Sequence, residues 1–248
     1  MLRDTLLGLM AVMSLAMPIM PLAAHAAHTG GPKNAARIAE LKQEIFALAE
    51  TFKGQGDPDF SRQRAFEPLI TELLRLNPQP PIADRLPVLA GAWRQVWGPY
   101  DYRSNGARGV DPATDPDRIY QVVFPEGFYV NVAPSDVRDR GATRDIVLLK
   151  GEYQVATVDP DMLQVRFVRF TKTEQAKAKQ GLWQLAAQSA DQTLDNQSTI
   201  LPGFLVRLFF GGGGLREVYT DDTMRITYGA RDLTDRSDEF IYIMRRMD

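Results

Sequence analysis

The chain has 248 residues, with 29 Lys+Arg against 31 Asp+Glu, two His, no Cys and 44% apolar residues. That is globular composition, and a net charge of −2 gives no basic footprint for nucleic acid. Without Cys there is no disulfide, thiolate metal site, Cys nucleophile or lipobox anchor. His25 and His28 both precede Lys33, so the body has no Ser-His-Asp triad, His base or His-ligated metal. Carboxylate, Lys or Tyr chemistry stays open.

Residues 1–26 read as a secretory signal. Arg3 precedes an uncharged run from Thr5 to Ala24, Pro18 and Pro21 break its end, and Ala24-His25-Ala26 places small residues at the −3 and −1 positions. Cleavage before Ala27 is the expectation, with an uncleaved anchor as the competing one. The product is an exported chain, periplasmic or secreted, whose core must hold it together without disulfides.

Residues 27–34 are a flexible lead-in and 35–248 a single domain. Within it, 35–81 form a helical pair. Ile38, Leu41, Ile45, Leu48 and Phe52 make one apolar stripe, ended by Gly54-Gln55-Gly56-Asp57-Pro58. A second helix covers Ser61 to Leu76, with Pro68 inside it as a kink or its true start, and Asn77-Pro78-Gln79-Pro80-Pro81 stops it. From Leu86 the period changes to 2. Strands are expected over Ala92–Trp97, Ile119–Phe124, Phe128–Val132, Asp145–Val158, Leu163–Thr171, Leu215–Thr220, Met224–Tyr228 and Phe240–Arg245. Tight turns join several of them, and two long loops interrupt the series at 98–118 and 172–204, the second helical around Leu182–Ala190. The fold class is α+β, mainly β: about eight antiparallel strands over 86–248, as a barrel or a sandwich.

Leu163, Val165 and Phe167 alternate with Gln164 and Arg166, and Met224, Ile226 and Tyr228 alternate with Arg225 and Thr227. Both apolar sets are expected to face the interior. Trp93 and Trp97, four apart, share a strand face under strict alternation. Either they floor a lipophilic cavity or Trp93 plugs the closed end of a barrel.

Three pieces resemble the plastid lipid-associated protein/fibrillin family. They are Gly91-Ala92-Trp93 opening the first strand, the boundary Leu76-Asn77-Pro78-Gln79-Pro80 before it, and Val218-Tyr219-Thr220-Asp221-Asp222-Thr223-Met224-Arg225-Ile226 near the C-terminus, followed by the apolar strand Phe240–Met244. The chain departs from the family after Trp93, where Arg94-Gln95-Val96-Trp97-Gly98 replaces the usual continuation. The resemblance implies a lipocalin-like barrel that binds, carries or stores a lipid or isoprenoid-like molecule without catalysis. It also implies an Arg late in the barrel packing across Trp93, a role that falls on Arg225. Gly91, Trp93, Asp221 and Arg225 are then structural, and the ligand would meet Trp93, Trp97, Leu163, Val165, Phe167, Met224, Ile226 and Tyr228.

Other features have plainer readings. Gly211–Gly214 lacks the Lys-Ser/Thr of a phosphate loop and suits a hairpin or a gate at the barrel mouth. Ile200–Phe210 is a buried strand and loop, with a membrane-surface or partner patch as the alternative. Asp111, Asp115 and Asp117 lack EF-hand spacing and start turns, so no metal or cofactor is expected. Arg138, Arg140 and Arg144 are interleaved with Asp136, Asp139 and Asp145, as in a solvated turn. An envelope interaction module with a side-chain-filled barrel is the alternative function.

Overall fold

The computed structural model describes residues 32–53, 55, 57, 60–98, 119–134, 145–174, 182–191, 198–201, 212–230, 233, 234, 236, 237 and 239–247. Helices α1 (Pro32–Thr51), α2 (Ser61–Leu76) and α3 (Ile82–Leu89) precede β1 (Gly91–Trp97), β2 (Tyr120–Phe124), β3 (Phe128–Pro134), β4 (Asp145–Val155) and β5 (Met162–Glu174). Then follow α4 (Leu182–Asp191), β6 (Ser198–Leu201), β7 (Gly212–Thr220), β8 (Met224–Ala230) and β9 (Phe240–Arg246). The expected strands are all present. Two elements were not expected from the sequence: α3, whose eight residues are too short to show a period, and the four-residue β6. The first helix already starts at Pro32, within the stretch expected as lead-in and at a residue suited to a first helical position.

Eight strands close into a ring. The antiparallel order is β4-β3-β2-β1-β9-β8-β7-β5, and β4 also pairs with β5 along its whole length. The first part of β5 pairs with β7 and its last part with β6, so β6 is a short addition beside the ring. Closure leaves no free edge in those eight strands.

Both surfaces of the wall are apolar because helices cover parts of the outside. α1 and α2 pack on β1, β7, β8 and β9, burying Trp97, Tyr219, Met224, Ile226, Ile241 and Ile243 against Leu41, Ile45, Phe66 and Leu73. α4 sets Leu185, Ala186 and Ala190 on Val122, Val130, Val132 and Leu148. Pro68 lies inside α2 without ending it. The start of α2 is capped from a distance: the Asp57 carboxylate accepts from the backbone N–H groups of Arg62 and Gln63 at 2.9 and 2.8 Å.

α3 seals one end of the ring. Ile82 and Leu89 are fully buried against Trp93, Leu163 and Met244. Arg85 donates to the carbonyls of Pro80 and Glu217, both at 2.7 Å, and the Trp93 indole donates to Leu89 O at 2.8 Å. The chain boundary before β1 and the turn after β7 meet close by. Asn77 donates to the Tyr219 hydroxyl at 3.0 Å, and the Gln79 side chain accepts from Thr220 N at 3.1 Å. Two of the segments that carry the family resemblance are therefore in contact. No helix among the described residues is long and apolar enough to cross a membrane.

Candidate functional site: the barrel interior

Register decides what faces inward. Trp93 lies beside Gln121, Gln121 beside Asn131, and Val123 beside Tyr129. Tyr129 lies beside Gly151, Tyr153 beside Val165, and Leu163 beside Leu215. On the far side Glu217 faces Thr227 and Arg225 faces Met244. The apolar members of this set pack as one cluster with α3. Trp93 and Leu163, beside α3, are buried, whereas Phe167 and Tyr242, further along their strands, are half-buried, as are Tyr153, Leu215 and the polar Asn131.

Of the residues expected to line the interior, Trp93, Leu163, Val165 and Phe167 do so. Trp97, Met224, Ile226 and Tyr228 do not. A bulge between Gln95 and Trp97 turns Trp97 outward, where its ring packs 5.0 Å from that of Phe66 and 6.4 Å from that of Phe52. Met224 and Ile226 are buried outside the wall, under α1 and α2. Tyr228 shares their face, with the Arg216 guanidinium 4.6 Å from its ring centroid. The alternation in β8 was read correctly, but its apolar face meets helices rather than the lumen.

The role expected of Arg225 falls on Arg246. Its guanidinium lies 4.3 Å from the Trp93 ring centroid and donates to Ala90 O at 3.1 Å and to Val88 O. A Cβ on Gly91 would run into that guanidinium, and Gly91 has φ +148°, so glycine is required there on both counts. Arg225 instead points into the ring. It donates from Nε and Nη2 to the two oxygens of Glu217, at 2.9 and 2.6 Å, and from Nη1 to Gln121 Oε1. Gln121 in turn donates to Asn131 Oδ1 at 2.8 Å. Glu217 and Arg225 are almost wholly shielded from water, so the pair depends on this complete bonding. Burial raises the Tyr129 and Tyr153 phenols above the ordinary tyrosine value, with the Arg225 charge opposing it. Both phenols are neutral at physiological pH.

Sequence reasoning missed Gln121, Asn131, Glu217 and Arg246. Gln121 was the findable one: it is a lone polar residue in the otherwise apolar Gln-Val-Val-Phe of β2.

Asp221 is a turn and tether residue. Its carboxylate accepts from Thr223 N and Met224 N, both at 2.8 Å, from the Tyr219 hydroxyl at 2.7 Å and from Lys42 of α1 at 2.7 Å. Burial opposes its ionisation, but Lys42, Tyr219 and Thr223 together hold the carboxyl below the ordinary Asp range. Gly212–Gly214 are not a gate. They are paired β-strand, and a Cβ on Gly214 would meet Met162 Sδ at 2.6 Å. Gly211, 202–210, the acidic residues Asp111, Asp115 and Asp117, and Asp136, Arg138, Asp139, Arg140 and Arg144 lie outside the described residues. No cluster of three or more metal-ligating side chains occurs among the described residues.

A depression of about 480 Å³ lies between the β2–β3 turn and strands β4 and β5, lined in part by Glu126, Phe128, Lys150, Glu152 and Arg166, and also by Tyr153 and Val165 of the inward set. Three of its charged groups are engaged: Arg166 pairs with Glu152, and Lys150 Nζ sits 4.5 Å from the Phe128 ring centroid. The ring interior is the stronger candidate. Compared with known protein families, curated proteins and solved structures, the chain matches none of them.

Proposed function

We propose that the protein binds a lipophilic small molecule, non-covalently and without catalysis, in the barrel interior, and serves to carry or store it after export. The observation that carries this reading is the gradient along the inward face. Trp93 and Leu163 are packed to full burial beside α3, whereas Phe167 and Tyr242, further along β5 and β9 from that end, keep part of their surface. A closed floor with partly uncovered aromatic walls above it suits an elongated apolar guest. Each CH₂ taken out of water contributes about 0.8 kcal/mol, so affinity needs no reactive group. The likeness of Gly91–Trp93 and Val218–Ile226 to the plastid lipid-associated protein/fibrillin family, and the apolar signal-like run at residues 5–24, support the same reading.

Titration of the purified protein with dodecane and dodecan-2-one, read by tryptophan fluorescence, tests it. Saturable binding is expected, weakened at least tenfold by Leu215→Trp, which adds bulk to the inward face away from the depression, in a variant with unchanged circular dichroism. Absence of saturable binding, or affinity indifferent to Leu215→Trp, would favour a barrel filled by its own side chains around Glu217 and Arg225.

A further inference from the structure

The polar chain inside the barrel has a direction. A guanidinium can only donate hydrogen bonds, and an ionised carboxylate can only accept them. Arg225 donates to both oxygens of Glu217 and to Gln121 Oε1. With its oxygen engaged by a donor-only group, Gln121 has only its amide nitrogen to turn toward Asn131, and it donates to Asn131 Oδ1 at 2.8 Å. Asn131 is therefore oriented as well: its oxygen faces Gln121, and its Nδ2 amide is left over. Among the described residues that nitrogen has no partner, and Asn131 is half-buried on the inward face. Glu217 balances the charge of Arg225, so the chain transmits an orientation without delivering a net positive charge.

We propose that Asn131 Nδ2 is the docking point for a neutral carbonyl oxygen on an otherwise apolar ligand: an ester, a ketone or a quinone. The inference rests on the lipophile-binding reading above and adds what the polar end of the guest must offer. A hydrocarbon would leave the amide unpartnered on binding, and a carboxylate at Asn131 would lose its hydration for one neutral donor, because the nearby Arg225 is already neutralised by Glu217. Gln121 and Arg225 act as positioning residues, holding the Asn131 amide in one of its two orientations.

The test compares dodecane, dodecan-2-one and laurate on the same protein and its variants, with binding read by tryptophan fluorescence and checked by native mass spectrometry. The ketone should bind about threefold to tenfold more tightly than the alkane, the size of one net hydrogen bond. Asn131→Leu should abolish that advantage while leaving dodecane affinity within about twofold, and Asn131→Asp, nearly isosteric but an acceptor, should make the ketone the weaker of the two. Gln121→Glu accepts from Arg225 but cannot donate while ionised, so it too should remove the advantage with Asn131 intact. Equal binding of ketone and alkane by the native protein, an advantage that survives Asn131→Leu and Asn131→Asp, or laurate binding more tightly than the ketone would overturn the inference and leave the carrier reading standing. Failure of all three molecules to bind would overturn the carrier reading, and the inference with it.

Discussion

Arg246, on the last strand, stacks its guanidinium on the indole of Trp93, on the first, at 4.3 Å from the ring centroid. The same group donates to the carbonyls of Val88 and Ala90, at the junction of α3 and β1. One side chain thus ties the closing helix, the first strand and the last strand together at the sealed end. Removing it as Arg246→Ala should cost about 2–3 kcal/mol, from one desolvated cation–π contact and the charged hydrogen bonds. Arg246→Lys should recover only part of this, because an ammonium lacks the planar fork. Urea unfolding checks both; a cost for the Ala variant within about 0.5 kcal/mol of zero would mean the stack contributes nothing.

The Glu217–Arg225 pair should behave as a buried ion pair does. Glu217→Met or Arg225→Met alone leaves an uncompensated charge in the interior and should cost about 3–5 kcal/mol. The double replacement by Met should cost much less than the sum. Additive costs in that cycle would show that the two groups do not depend on each other.

Asp221 gives an acid-stability prediction. Its carboxyl titrates lower in the folded chain than in the unfolded one, so at acid pH the unfolded chain takes up the proton more readily. The stability it contributes is complete above the ordinary Asp value of about 3.9 and is lost as pH falls through the lower folded value. Asp221→Asn should lower stability at neutral pH and flatten the acid limb of the stability profile. Unfolding midpoints measured from pH 7 down to pH 2 would show it, and parallel profiles for the two proteins would contradict it.

Trp97 separates outer packing from the lumen. Trp97→Phe should destabilise the contact with Phe52 and Phe66 and leave dodecan-2-one affinity unchanged, whereas Leu215→Trp should weaken that affinity with unchanged circular dichroism. A Trp97 variant with normal stability and lost binding would place that ring in the site after all.

These residues also show what the sequence could reveal. Apolar runs bounded by turn residues located every strand of the ring, and alternation marked one apolar face in β5 and β8. It could not say which apolar face was inside, since α1, α2 and α4 give the outer wall an apolar surface of its own. Met224 and Ile226 were misplaced for that reason. The bulge before Trp97 added one residue to the register and reversed its face, an event with no local signature in Arg-Gln-Val-Trp. Arg225 and Arg246 could not be told apart from the motif alone. The antiparallel register of β1 on β9 sets Arg246 beside Trp93, and only that pairing makes the contact visible.

The most direct measurement is native mass spectrometry of the protein taken from its own host, followed by solvent extraction and identification of what is released. The account predicts one stoichiometric apolar molecule carrying a neutral carbonyl, lost on extraction and regained on titration. A bare polypeptide mass that stays bare with esters, ketones, quinones and hydrocarbons would contradict it.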